Sequence, residues 1–316
     1  MIGFRYHVIA VAAVFAAIAI GLVGGALVRP DPVATSAPPA DVVAENATLR
    51  DRIAQLDADV GTRDAFAEQL ARSVLGARLT GVRVLVLSTP AGVPYVDSIA
   101  RLVVSGGAVV TGRVGLNDSF TDPANSVKLV DLATSSLPPS LVSGLPPVAD
   151  GVSASSALLA GVLLRRTPAL TAEDARSVLV AYSRLGYLTV GEPVSGPADA
   201  VVIVSGPVDD GRAAATMAMV SRFDQAGPVV VVGPDAKPQA LVSRVRAASE
   251  LAATVSTVDN VANPSGRLVA AWAVADQLGG TVGHYGTGTG VTLMPGVLVA
   301  PSSPTVSGSP QPTTTP

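Results

Sequence analysis

The sequence predicts a membrane-tied α/β protein: an N-terminal transmembrane helix, a coiled-coil stalk, and a three-layer α/β domain with a mainly parallel sheet and a helical insertion. Three observations carry that reading. Val8 to Val28 contains no charged residue, the segment after residue 40 repeats apolar positions in steps of four and three, and from Gly81 short β-branched runs alternate with helical windows. The division that follows is an anchor over 1–29, a linker over 30–40, a coiled coil over 41–79, an α/β domain over 80–290 with its insertion at about 148–185, and a disordered tail over 291–316.

At about 1.5 Å per residue, a helix over Val8–Val28 is roughly 30 Å long, the thickness of a bilayer's hydrocarbon core. It exceeds the apolar run of about 7–15 residues typical of a cleaved secretory leader. The stretch is therefore read as a retained anchor, with cleavage near Thr35-Ser36-Ala37 as the alternative. Arg5 and the terminal amine precede it, and Arg29 then Asp31 follow, which favours the N-terminus inside. Gly21 and Gly25 form a small-xxx-small pair that favours helix pairing in lipid. At the other end, Met294–Pro316 is rich in Pro, Ser and Thr and has no charge. Such a composition cannot bury enough apolar surface to offset its ordering entropy, and it is common in extracytoplasmic spacers. The expected location is the cell envelope, with one membrane pass and the C-terminal domain outside the cytoplasm.

After the Pro/Ala-rich linker, Val42, Asn46, Leu49, Ile53, Leu56, Val60, Arg63, Ala67, Leu70 and Val74 form a heptad seam. Leu49, Ile53, Leu56, Val60 and Leu70 are its expected contact residues, meeting a second copy of the chain or a different coiled-coil partner. The competing reading is one amphipathic helix packed on its own domain. Gly61 and the polar seam positions Asn46 and Arg63 weaken a long zipper.

From Gly81 the period changes. Val82–Leu87, Ala108–Val114, Ala200–Val204, Pro228–Val232 and Thr254–Val258 read as buried strands. Helices are expected at Val93–Ser105, Asp122–Ser136, Ala154–Arg165, Thr171–Leu185, Asp210–Gln225, Pro238–Leu251 and Ser265–Leu278, with a Pro-rich passage at Leu137–Pro147. Near-continuous apolar strands alternating with helices are the signature of a parallel sheet covered on both faces.

Composition excludes several functions. Hydrophobic residues make up 48% of the chain but aromatics only 3%, so the core is built from Val, Ala and Leu. A net charge of −3 without a basic block gives no footprint for nucleic acid. With no cysteine there is no disulfide, thiolate metal site or Cys nucleophile. His7 and His284 are the only imidazoles, so one copy cannot assemble a multi-histidine zinc or copper site.

The loops expected after the strands, Ser88-Thr89-Pro90-Ala91-Gly92, Ser205 to Gly211 and Gly233-Pro234-Asp235, match no phosphate-binding or nucleophile-elbow pattern. They read as turns, and Asp209-Asp210 as helix capping rather than, with Asp235, a cation site. Met217 and Met219 are two apart, pointing about 200° from one another on a helix, and read as core. Thr281–Gly290 is a glycine-rich run whose ring side chains are His284 and Tyr285. It reads as a docked C-terminal loop or a place of close approach to a partner, with His284 the one metal-ligand candidate in it.

The start Phe4-Arg5-Tyr6-His7, the stretches Ala12–Ala16 and Gly21–Gly24, Ser256-Thr257-Val258-Asp259-Asn260, Gly266-Arg267 and the closing Gly283-His284-Tyr285-Gly286-Thr287-Gly288 resemble the actinobacterial copper transport outer membrane protein family. The resemblance runs from the anchor to about Gly290. It implies a pore-forming, non-enzymatic envelope protein that exports copper, with copper as a transported ion, no resident cofactor and no catalytic residues. Family members are also linked to cell division as coiled-coil partners of a peptidoglycan hydrolase, which implies a scaffold as the second reading. A single spanning segment forms a pore only by oligomerising.

Overall fold

A Val-rich chain with few aromatics fills its interior by stacking β-branched strands between helices, and the strands alternate side chains between two faces. In the computed structural model, which describes residues 40–141, 150–164 and 170–295, the described residues form one seven-stranded sheet. Its strands are β1 (Arg83–Ser88), β2 (Val109–Leu116), β3 (Leu188–Val190), β4 (Ala200–Val204), β5 (Val229–Val232), β6 (Ser256–Val258) and β7 (His284–Tyr285). They lie in the order β3-β2-β1-β4-β5-β6-β7. All neighbours are parallel except β2 and β3, which run antiparallel at one edge.

The helices are α1 (Ala40–Leu75), α2 (Val96–Ser105), α3 (Ser126–Ser135), α4 (Gly151–Leu163), α5 (Ala172–Arg184), α6 (Asp210–Ala226), α7 (Leu241–Ala247), α8 (Ser249–Ala252) and α9 (Pro264–Leu278). Leu85, Leu87, Val201, Ile203, Val229 and Val231 face α3 to α7, and Val84, Val86, Val202, Val204, Val230 and Val232 face α2, α9 and the end of α1. The three layers of the predicted α/β domain are therefore present. Each fully buried Val or Leu contributes about 1.5–3 kcal/mol of apolar burial.

Several elements depart from the expectation for local reasons. Residues 90–95 form a 3₁₀ turn in place of the first turn of the expected Val93–Ser105 helix, because Pro94 lacks an amide proton and disfavours helical geometry at Val93. The expected Pro238–Leu251 helix breaks at Ala248, whose ψ of 101° is extended, giving α7 and α8. The pair expected as a helical insertion forms part of one covering layer: α4 is buried almost all round, between α3 and α6. Of its three serines, Ser155 is accommodated because it donates to the Leu129 carbonyl (3.2 Å) and accepts from Tyr182 (2.9 Å).

The chain divides into two units, residues 1–59 and 60–316. The first is described from residue 40, as the opening part of α1. In the second, the remainder of α1 contributes Ala67, Ala71 and Leu75 to the core, one turn apart, followed by Leu79. The domain's core thus reaches back to Ala67, into the stretch assigned to the stalk. The small side chains of Ala67 and Ala71 allow that close approach, and an ion pair from Asp64 to Arg267 fastens it. Among the described residues no helix is long and apolar enough to cross a membrane. The Val8–Val28 anchor, the linker before Ala40, most of the Pro-rich passage and the tail from residue 296 lie outside the described residues. The first residues given to the tail do not hang free: Thr292 donates its amide to His284 (3.1 Å) and accepts from Gly286 (2.9 Å).

Candidate functional site

Connections leave β1 and β4 in opposite directions, so a crevice opens between their carboxyl ends, where ligands of open α/β sheets collect. It encloses about 190 Å³, lined by Thr89, Asn117, Asp118, Asp209, Arg212 and Thr216 among others. Its floor is closed by the chain itself. The Thr89 amide donates to the Val204 carbonyl (3.0 Å) and the Gly92 amide to the Thr89 carbonyl (2.9 Å), while a side chain at Gly92 would collide with Val204. Pro90 and Pro94 supply no amide proton and the Gly92 amide is spent on Thr89, which takes three donors from this loop. Thr89 donates to Ser205 (3.0 Å). Each nearby carboxylate is engaged: Asp209 caps α6 through the Gly211 amide (2.8 Å), Asp210 pairs with Arg244, Asp118 with Arg212, and Asp235 with Lys237 (2.9 Å). Asp209 thus caps the helix, and Asp210 lies in its first turn, where negative charge suits the helix dipole. A larger hollow of about 550 Å³ lies between α4, α5 and residues 190–197, its wall including Leu164 and Leu170, which flank residues outside the described chain.

The second constellation is built by the glycine-rich run. Asp259, at the end of β6, is wholly buried. Its carboxylate accepts from Arg246 (2.8 Å), from the Thr287 amide (2.6 Å) and hydroxyl (3.1 Å), and from the Gly288 amide (3.1 Å). Gly286, at φ 130°, passes so close to the carboxylate that a side chain there would collide with it. Burial pushes the Asp259 pKa up, but the Thr287 amide, Arg246 and the Gly288 amide outweigh it and hold the group below the usual carboxylate value. Arg246 also donates to Thr257 (2.7 Å) and to the Tyr285 carbonyl (2.8 Å).

His284 belongs to the same network. Its Nε2 faces the Ala252 carbonyl (3.1 Å), which only accepts, so Nε2 carries the proton and Nδ1 accepts from the Thr257 hydroxyl (2.8 Å). Burial, followed by the Arg246 charge, lowers its pKa and keeps the ring neutral. Tyr285 points into the core, with burial and Asp276 raising its pKa. Of the residues expected to make contacts, Tyr285 is buried and His284 half-buried, while Leu49, Ile53, Leu56 and Val60 are 49, 58, 59 and 48% exposed on one stripe of α1, and Leu70 is half-buried. Sequence reasoning missed the roles of Asp259 and Arg246. The available signal was a carboxylate closing a strand read as buried, which needs a cationic partner.

Among the described residues there is no group of three or more His, Asp or Glu side chains placed to hold a metal ion. Met219 is buried in the core and Met217 packs against it, in keeping with packing rather than ligation.

A family model described as "Copper transport outer membrane protein, MctB" matches residues 1–295. Copper transporter MctB of Mycobacterium tuberculosis is 31% identical over 315 residues, covering 92% of this chain and 98% of that protein. Copper transporter MctB of Mycobacterium leprae is 32% identical over 314 residues with the same coverage. The match takes in the start, the Asp259 strand and the glycine-rich run that wraps it, and the chain belongs to the MctB family of copper transport outer membrane proteins.

Proposed function

We propose that the chain serves copper transport and homeostasis at the cell envelope, as a non-enzymatic protein held in the membrane by Val8–Val28, with α1 as a coiled-coil stalk and the α/β domain outside the cytoplasm. The observation that carries this reading is family membership across residues 1–295, together with relatives named as copper transporters over nearly their whole length. It favours copper transport over a cell-division scaffold. Within this reading His284, whose ring nitrogens both lie within hydrogen-bond distance of protein groups, and the packed methionines of α6 serve structure rather than copper binding. One spanning segment per chain supplies too little protein to shield a polar path through lipid, so transport at the membrane requires several copies together.

The test is a deletion strain of the source organism. Loss of the protein is expected to raise cell copper and copper sensitivity, with rescue by the full chain and none by a version lacking residues 1–29. Normal copper content with chained, unseparated cells would overturn the reading in favour of the scaffold.

A further inference from the structure

Between Val42 and Val60, α1 carries an apolar stripe that is exposed among the described residues: Leu49, Ile53, Leu56 and Val60, in steps of four, three and four. The geometry points to a second copy of this chain, parallel and in register, as the occupant of that stripe. This deepens the stalk reading above and is independent of the copper assignment.

Three features of the stripe specify the pairing. In heptad terms Leu49 and Leu56 occupy d positions and Ile53 and Val60 occupy a positions, and β-branched a with leucine d favours two parallel strands. Asn46 falls at a, where a lone polar residue fixes register. The flanks are complementary. In an in-register parallel pair each g residue lies opposite the e residue five places on in the other copy, so Glu45 meets Arg50 and Arg52 meets Asp57, each pair occurring twice. The next pair would oppose Asp59 to Asp64, but Asp64 is already held by Arg267. A slip of one heptad sets Glu45 opposite Asp57 and Arg52 opposite Arg50, and leaves the other Arg52 facing Asp64, which Arg267 already holds. Charge alone also suits an antiparallel pair, joining Arg50 to Asp57 and Arg52 to Asp59. The apolar stretch just before the helix decides between them, since two copies anchored in one membrane rise side by side. Fewer than three heptads is a short zipper, and confinement of both anchors to one membrane raises the effective concentration that closes it.

The chain has no cysteine, so a single introduced thiol reports only on contact between copies. Full-length Leu49→Cys and Leu56→Cys, oxidised in native membranes, are expected to run as disulfide-linked dimers of twice the chain mass. Asp51→Cys, on the outward f position, is expected to remain monomeric. In the Leu49→Cys background, Arg52→Glu should lower the cross-linked fraction several-fold and Asp57→Arg added to it should restore the fraction. All these positions are exposed, and unchanged circular dichroism checks that the fold persists. Absence of self-cross-linking at residues 49 and 56, cross-linking to a different protein, or equal cross-linking at Asp51 would overturn the proposal. So would further loss on adding Asp57→Arg, the signature of the antiparallel pair.

Discussion

A carboxylate without solvent contact is tolerated only when protein groups replace the water it lost, and Asp259 has Arg246, two backbone amides and a hydroxyl doing so. Asp259→Asn removes the charge that balances Arg246 in a nearly dry site, and a broken buried pair costs about 3–5 kcal/mol. Urea unfolding of the variant should show that loss. The pH dependence follows from the direction of the shift. Because the Asp259 pKa is depressed in the folded protein, its contribution is present above the unfolded carboxylate value of about 4 and is lost as pH falls through the lower folded value. His284 works the same way at milder acidity: its folded pKa is also depressed, so stability begins to fall below the unfolded value of about 6.5. Melting temperature followed against pH should show both declines, and His284→Ala should abolish only the milder one. That variant loses two hydrogen bonds at a half-buried site, a cost of about 1–2 kcal/mol, and keeps its fold. Cu(I) titration against a competing chelator should show no difference between it and the parent, because Nδ1 and Nε2 are already committed to Thr257 and Ala252.

Helix α1 shows what an apolar repeat in sequence fixes and what it leaves open. Its seam is legible from Val42 to Val74, yet the same spacing serves two recipients: the stripe is bare through Val60, and the helix then enters the domain's core at Ala67, Ala71 and Leu75. Leu75→Ala should therefore cost about 2–5 kcal/mol of domain stability. Ile53→Ala and Leu56→Ser should stay within about 0.5 kcal/mol in the same unfolding measurement, since both belong to the first unit and are more than half exposed. The central strands were legible because runs such as Ala200–Val204 are apolar throughout, which only a sheet covered on both faces explains. Strands β3 and β7, of three and two residues, were not, being too short to show a period. The glycine-rich run announced itself by composition alone. Its purpose was hidden because a sequence does not show that Gly286 must pass against Asp259, or that Arg246 in a separate helix completes the site.

At the scale of the whole molecule, no helix among the described residues is long and apolar enough to cross a membrane. The proposed anchor, Val8–Val28, is uncharged in sequence and is open to a direct test. A charged side chain at the centre of a spanning helix costs about 2.5–3.5 kcal/mol on the insertion scale, so Phe15→Lys with Ile18→Lys costs about 5–7 kcal/mol, enough to prevent stable insertion. The parent protein should stay in membranes through an alkaline wash and the double variant should not. A reporter joined after Pro316, which leaves the pairing of Thr292 with His284 and Gly286 undisturbed, should be active only outside the cytoplasm. The proposed orientation rests on Arg5 before the stretch, and Arg5→Glu with Asp31→Arg should reduce the correctly oriented fraction. Recovery of a mature protein beginning near Ala37 in the wash would show that the stretch is a cleaved leader. It would also remove the shared membrane that holds two copies of α1 side by side.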